Sequence, residues 1–396
     1  MNIGILSYYY QNNNYGGLLQ AYAMCAAAGK QAYSAAVEQV TIPARAPNPP
    51  QSLAAKLKKA LNPAKLFKYL FQHGRKALNR PNQQKIANGL ALRNADFRSF
   101  MDEIPHSEKV YSVSTISEIA DKYDLLISGS DQVWNYAWLN PVFFLGFSDT
   151  YRISYAASMG HSDLPEPWYS QYKELLKNFD AISVREENMV SLLQPIAPVP
   201  VEWVLDPTLL LSASDWDEIC APRQIEEPYL FCYYLGGSQR DRMLANEVAK
   251  RKGLKIVTLP HLLGEYRKVD KDFGDIQLWD VSPKQFISLI KYADFVMTDS
   301  FHGSVFSGVY GRPFVAFERE GEKGMSGRLL SLTEITDTQD RFLTTPDKLT
   351  ADYICALPYA LPPETEKMRL MREKSLGFLK RNIEAAEKRK GENAKS

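Results

Sequence analysis

Cysteine is scarce in this chain, and the four that occur, Cys25, Cys220, Cys232 and Cys355, stand far apart. No CxxC pair is present, which argues against a structural zinc site and a disulfide framework and makes a reducing cytoplasm the expected compartment. No run of about 18 apolar residues exists, so no membrane-spanning helix is expected. The opening MNIGILSYYY has neither a basic n-region nor a small-residue cleavage site, so no secretory signal is read there. Nucleotide signatures are missing as well: there is no GxxxxGK(S/T), and no GxGxxG opens a helix. HExxH and carboxylates at metal spacing are absent, and neither a metal nor a bound cofactor is expected. Acidic residues are missing from Gln39 to Ala95, a window that carries basic residues from Arg45 to Arg93. The net charge of the whole chain is only +1 and no nucleic-acid module is recognisable, so nucleic acid is not an expected partner.

What is present is globular. The 396 residues are 45% hydrophobic and 23% charged, enough for two domains with real cores. Short apolar runs alternate with helical spacing. Strands are expected at Asn2–Tyr8, Val37–Ile42 and within 123–131, 152–158, 181–186 and 201–211, with helices near Leu18–Ala28, Ser52–Gln72 and Gln84–Met101. After APRQIEEP (221–228), read as a linker, the alternation restarts. Strands are expected at 229–237, Lys255–Leu259, Ala293–Thr298 and Pro313–Phe317, and helices at Asp241–Lys252, Pro283–Lys291 and Gly303–Tyr310. The expected architecture is α/β, with two doubly wound Rossmann-like domains facing a cleft: residues 1–220, with a basic helical excursion about 45–95, and residues 221–360. Residues 361–396 are expected to form a charged helix crossing back to the first domain, with a disordered tail.

In open α/β sheets, ligands bind beyond the carboxyl ends of strands. Five stretches lie there. NNNYGG (12–17) follows the first strand; its glycines permit close approach and its amides suit sugar hydroxyls, with a plain Asn/Gly turn as the alternative. Asn14, Tyr15 and Gln20 are the expected acceptor-side residues. SGSDQVWN (128–135) offers Ser130, Asp131 and Trp134; Asp131 accepts hydrogen bonds or a proton, or caps a turn, and Trp134 stacks on a sugar or fills core. Arg185 in SVRE suits a bidentate grip on carboxylate or phosphate, or an ion pair with Glu186 or Glu187. DSFHGSVFSG (299–308) places Ser300, His302, Gly303 and Ser304 where a helix opens, a setting for an anion and a proton donor. KGMSGRLLSLTE (323–334) adds Lys323 and Arg328, with a solvated first-turn arginine as the plain reading.

In this order the motifs resemble the polysaccharide pyruvyl transferase family. The resemblance is carried by NNNYGGLLQAYA (12–23), DLLISGSDQVWN (124–135), SYAASMG (154–160), SVREENMVSLL (183–193), VLDPTLLLSASDW (204–216), MTDSFHGSVFSGVYGRPFVAF (297–317) and SGRLLSLTE (326–334). It implies a GT-B-like fold, phosphoenolpyruvate as co-substrate and a sugar or lipid-linked oligosaccharide as acceptor, joined as a pyruvate ketal in exopolysaccharide, capsule or cell-wall glycan synthesis. The family's histidine matches His302 and its strand-end arginine matches Arg185. Some members carry an arginine two residues before the histidine, where this chain has Ser300. Anion-binding charge must then come from elsewhere, with Arg328 and Lys323 as the candidates. Two other readings share the fold: a glycosyltransferase using a nucleotide sugar, and a carbohydrate-binding relative without catalysis. The basic window has two readings, an apolar stripe packed on the first lobe or peripheral contact with anionic lipid at the inner membrane face.

Overall fold

Apolar runs buried on both faces make parallel strands, and the chain builds two such sheets. A computed structural model describes residues 1–32, 35–43, 80–260, 267–319, 327–361 and 364–393. The helix expected at Ser52–Gln72 and most of the basic window lie outside these residues, as does Lys323. In the first sheet β1 (Asn2–Leu6), β2 (Ala36–Gln39), β3 (Leu125–Ser128) and β4 (Tyr151–Ser154) are ordered β2-β1-β3-β4, all parallel. Single bridges from Ile153 to Ala181 and from Ala157 to Val184 continue it into the parallel pair β5 (Ile182–Val184) and β6 (Val201–Trp203). The second sheet contains β7 (Tyr229–Tyr233), β8 (Lys255–Thr258), β9 (Ile276–Gln277), β10 (Phe295–Thr298), β11 (Phe314–Phe317) and β12 (Phe342–Leu343). Its order is β12-β11-β10-β7-β8-β9. The two-residue strands β9 and β12 are too short to leave a periodic pattern, and sequence reasoning did not find them.

Each sheet reverses its strand order once among the loops that matter. In the first sheet the chain leaves β1 toward both β2 and β3; in the second it leaves β7 toward both β8 and β10. These are the switch points, where neighbouring loops diverge and leave a crevice. NNNYGG and SGSD are the loops after β1 and β3. YLGG and DSFHG are the loops after β7 and β10.

Helices fix the two sheets against one another. Helix α1 (Tyr15–Gln31) starts at Asn14, whose side chain accepts the Gly16 N–H. Its Tyr15 is a packing residue. The ring stacks on Phe286 at 4.4 Å between centroids, and the hydroxyl donates to the Val281 carbonyl at 2.8 Å. Phe286 belongs to α4 (Pro283–Lys291), opened by a Ser282/Gln285 capping box with proline in the first turn. Helix α2 (Arg80–Glu103) adds Arg93, buried over the Phe97 and Tyr15 rings and donating to the Asn13 carbonyl at 2.6 Å. Helix α3 (Gln239–Lys252) ends on Gly253, whose φ of 66° is the left-handed stop that glycine adopts without strain. Helix α7 (Glu366–Asn393) lies on the first sheet: Ser375 accepts the Leu205 N–H at 2.9 Å and Asn382 accepts the Tyr151 hydroxyl at 3.1 Å. Among the described residues no helix is long and apolar enough to cross a membrane.

Tyr15 joins the loop after β1 to α4 across the sheets. Tyr15→Ala is therefore expected to cost about 3–5 kcal/mol of stability, the range for a buried aromatic cut to alanine, read as a fall in the thermal unfolding midpoint. A midpoint unchanged within 1 °C, a margin on the order of measurement error, contradicts this role.

Candidate active site

The second sheet supplies a rigid turn. At the end of β10, the Asp299 carboxylate accepts the N–H groups of Leu235 and Gly236, each at 2.6 Å, and so fastens the loop after β7 to the loop after β10. Ser300 then caps α5 (Phe301–Val309): its hydroxyl accepts the Gly303 N–H at 3.3 Å and its carbonyl accepts the Ser304 N–H at 3.1 Å. The Ser304 hydroxyl donates back to the same carbonyl. The amides of Gly303 and Ser304, expected to hold an anion, are thus committed within the helix. Gly303 is needed for packing, since a Cβ there would meet Thr298 Oγ1 at 2.7 Å.

From this turn His302 reaches the first lobe. Its ring lies against the start of α1, so close that a Cβ on Gly16 would sit 1.9 Å from Nδ1. A Cβ on Gly17 would sit 2.3 Å from Asn12 Nδ2. Asn12 in turn accepts the Asn14 N–H through its side-chain oxygen. The two glycines of NNNYGG therefore serve two close approaches, one to an imidazole and one to an asparagine. His302 Nε2 is buried with no hydrogen-bond partner among the described residues, and stands 3.9 Å from Asp206 Oδ1.

Around that carboxylate the first lobe gathers its charges. Arg185, just past β5, is buried and makes four hydrogen bonds. It donates to Asp206 at 2.7 Å, Asp131 at 3.0 Å, Ser158 at 2.9 Å and Glu186 at 3.3 Å. The fork expected to grip a substrate is already engaged. The pairing with Glu186 does occur, but inside the protein and not at the surface. Arg328, in α6 (Gly327–Ile335), is no solvated first-turn residue: its side chain is 10% exposed and Nη1 lies 3.4 Å from Asp131. Both guanidiniums face the Phe301 ring, at 4.9 and 6.0 Å from its centre.

Burial pushes the His302 imidazole below its ordinary value of 6.5. Asp206 and Asp131 oppose this, Arg185 and Arg328 reinforce it, and the net direction is down. The N-terminal end of α1, a 17-residue helix, disfavours a cation there as well. Burial would raise the Asp131 carboxyl, but Arg185, Arg328 and His302 together bring it down to about 2. Asp206 is likewise held low against burial by Arg185 and His302. At neutral pH a value below 6.5 leaves His302 predominantly neutral, among fixed charges.

The structure therefore brings together His302, Arg185, Asp131, Arg328 and, at their edge, Ser130, whose hydroxyl donates to Asp206 at 3.2 Å. It separates the expected sugar-binding aromatics from them. Trp134 is fully buried, stacked on Phe144 at 5.3 Å, with its indole N–H on the Phe143 carbonyl. Tyr15 is spent on the α4 contact, and Gln20 is fully buried with its amide on the Gly17 carbonyl. Asn14 is a helix cap, half-exposed, whose Nδ2 has no protein partner among the described residues. Sequence reasoning missed Asp206 and Ser158 as members of the cluster, and gave Glu186 only as a surface partner of Arg185. Asp206 lies in VLDP at the end of β6, and its strand-end position was the available signal.

Removing one member tests the cluster. Asp206→Asn takes a buried partner from Arg185 and is expected to destabilise the fold by ~3–5 kcal/mol in denaturant titrations; an effect below ~1 kcal/mol contradicts a buried pair. His302 is expected to titrate below 6.5 by NMR of its ring protons. With the folded value below the unfolded one, its contribution to stability is complete above about pH 6.5 and is lost as pH falls through the folded value. A midpoint at or above 6.5 contradicts the burial argument.

Comparison with known proteins bears on what this cluster is for. No curated protein sequence matches the chain. Among solved structures, the UDP-GlcNAc 2-epimerase from Methanocaldococcus jannaschii is similar at 9% identity and a TM-score of 0.50, over 95% of this chain and 99% of that one. The S. aureus MnaA, solved with UDP, is similar at 10% identity and a TM-score of 0.50, over 97% and 96%. At such identity the likeness is one of fold, the GT-B arrangement of two parallel α/β sheets. The family model for polysaccharide pyruvyl transferase matches residues 14–321, from the cap of α1 past β11, and the chain belongs to the polysaccharide pyruvyl transferase family.

Proposed function

We propose that the chain transfers pyruvate from phosphoenolpyruvate to two hydroxyls of a sugar, forming a ketal and releasing phosphate. One observation carries the reading within the family: a buried imidazole nitrogen, His302 Nε2, without a hydrogen-bond partner among the described residues, within the field of two guanidiniums where the two lobes meet. An unsatisfied buried polar atom calls for an explanation, and a reacting group that awaits a ligand is one.

The residues divide the work as follows. Arg328, whose Nε is also buried without a partner among the described residues, takes the donor's anionic groups. Arg185 is fixed by its carboxylates and supplies positive charge to the same place. An anionic donor raises the His302 value and so brings a proton to the imidazole, with Asp206 stabilising the resulting cation. His302 gives that proton to the methylene carbon of the enol. The adjacent carbon becomes electrophilic, one sugar hydroxyl adds, and the neutral imidazole takes the proton released. Phosphate leaves, the second hydroxyl closes the ring, and its proton ends on phosphate. Atoms and charges balance without an oxidant or reductant. Of the expected acceptor-side residues, Asn14 has an amide with no partner among the described residues and offers it to a hydroxyl. Lipid-linked and nucleotide-linked glycans at the inner membrane face are the acceptor class to examine first.

Incubation with phosphoenolpyruvate and a panel of such glycans is expected to release phosphate and to add the mass of pyruvate less water. His302→Gln is expected to lower turnover about 10²–10⁴-fold, the usual worth of acid–base assistance. A thermal shift with UDP and none with phosphoenolpyruvate, with no phosphate release, would instead favour a nucleotide-sugar enzyme.

A further inference from the structure

Three carboxylates meet two guanidiniums in this cluster, and they are not held alike. Asp206 and Glu186 are 0% and 2% exposed, whereas Asp131 is 16% exposed. Asp206 also accepts hydrogen bonds from the Thr208 hydroxyl at 2.6 Å, the Thr208 N–H at 3.0 Å and the Ser130 hydroxyl at 3.2 Å. Glu186 accepts the Ser158 hydroxyl at 2.6 Å. Among the described residues Asp131 bonds only to the guanidiniums, and it meets both through one oxygen, Oδ1, at 3.0 Å from Arg185 and 3.4 Å from Arg328. Well-formed charge-assisted bonds of this kind run at about 2.7–2.9 Å, so the bridge is loose. With it in place, Arg328 Nε and His302 Nε2 have no partners among the described residues.

We propose that Asp131 is a resident stand-in for the donor's anion: it occupies the Arg185–Arg328 pair in the empty enzyme, and a phosphate or carboxylate of the donor displaces it. The proposal rests on the donor reading above and adds an order to it. A tetrahedral or planar oxyanion presents several oxygens, enough to bridge both guanidiniums and to reach Arg328 Nε as well. If Asp131 stayed, it would lie beside the incoming charge, and like charges at that distance repel strongly in a buried site. The guanidiniums do not need Asp131 to stay in place. Arg185 keeps Asp206, Glu186 and Ser158, and both cations face the Phe301 ring. Once displaced, Asp131 no longer faces two cations and regains the basicity of an ordinary carboxylate. It is then free to accept a hydrogen bond from an acceptor hydroxyl and hold it for attack while the imidazole takes its proton. The donor must bind before this carboxylate is available to the acceptor.

The test is calorimetric titration of the full chain and of Asp131→Asn with phosphoenolpyruvate, inorganic phosphate and pyruvate in parallel. Asparagine keeps the size of the side chain and removes the competing charge. Asp131→Asn is expected to bind phosphoenolpyruvate about tenfold more tightly than the wild type, a change of about 1.4 kcal/mol. The phosphate and pyruvate arms tell which group displaces the carboxylate. Equal or weaker binding by the variant, with the wild type binding phosphoenolpyruvate, overturns the displacement and leaves the donor reading standing. Tighter binding of phosphate by the variant, with no phosphoenolpyruvate bound by either protein, supports the displacement and overturns the donor reading. No anion bound by either protein overturns both. Should Asp131→Asn fail to fold, Arg328→Gln decides: at least tenfold weaker anion binding is expected, and unchanged affinity overturns the proposal.

Discussion

The buried guanidinium of Arg185 is the constraint on which the site depends. A cation taken out of water at the end of a strand is tolerated only with partners, and it recruits them from three different strand ends. Asp131 comes from the loop after β3, Glu186 from the loop after β5 and Asp206 from the loop after β6. Once those loops are fixed, Asp206 is fixed too, and with it a carboxylate oxygen 3.9 Å from His302 Nε2. The ion cluster is less a source of stability than a means of giving three loops one arrangement.

Besides the Arg328–Asp131 contact, the second lobe meets this arrangement through two devices that use no charge pairing with the first. Asp299 fastens the loops after β7 and β10 to one another, so the turn bearing His302 is rigid before it reaches across. Gly16 then lets the ring lie against the first turn of α1, where any side chain would collide with it. The consequence is electrostatic as well as steric. The imidazole sits against the start of a helix, near two arginines, and its value is held below the ordinary one.

Much of the scaffold was legible in the sequence because it is local. The buried runs of β1, β3, β7, β10 and β11 are continuous apolar stretches ended by polar or glycine-bearing loops, and α4 announces itself through SPKQ. The loops at the switch points were found for the same reason, by their position after strands. What was not legible is who partners whom. Arg185 meets Asp206 and Asp131 at separations of 21 and 54 residues, and nothing local distinguishes a strand-end arginine that faces substrate from one that is boxed in by carboxylates. Aromatic residues misled in the expected direction: Trp134 and Tyr15 stand in polar motifs, yet their rings fill core, as large rings usually do. Gly303 and Ser304 looked like an anion cradle, but Ser300, in the position where an arginine stands in some relatives, uses their amides to cap its own helix.

The central claim is that His302, Arg328 and Asp131 share one anion site between the lobes. A crystal structure of the chain soaked in phosphoenolpyruvate tests it most directly. The account predicts ligand oxygens within hydrogen-bond reach of Arg328, the enol methylene facing His302 Nε2, and the Asp131 carboxylate turned away from both guanidiniums. A donor bound elsewhere, with Asp131 still bridging Arg185 and Arg328, would contradict it.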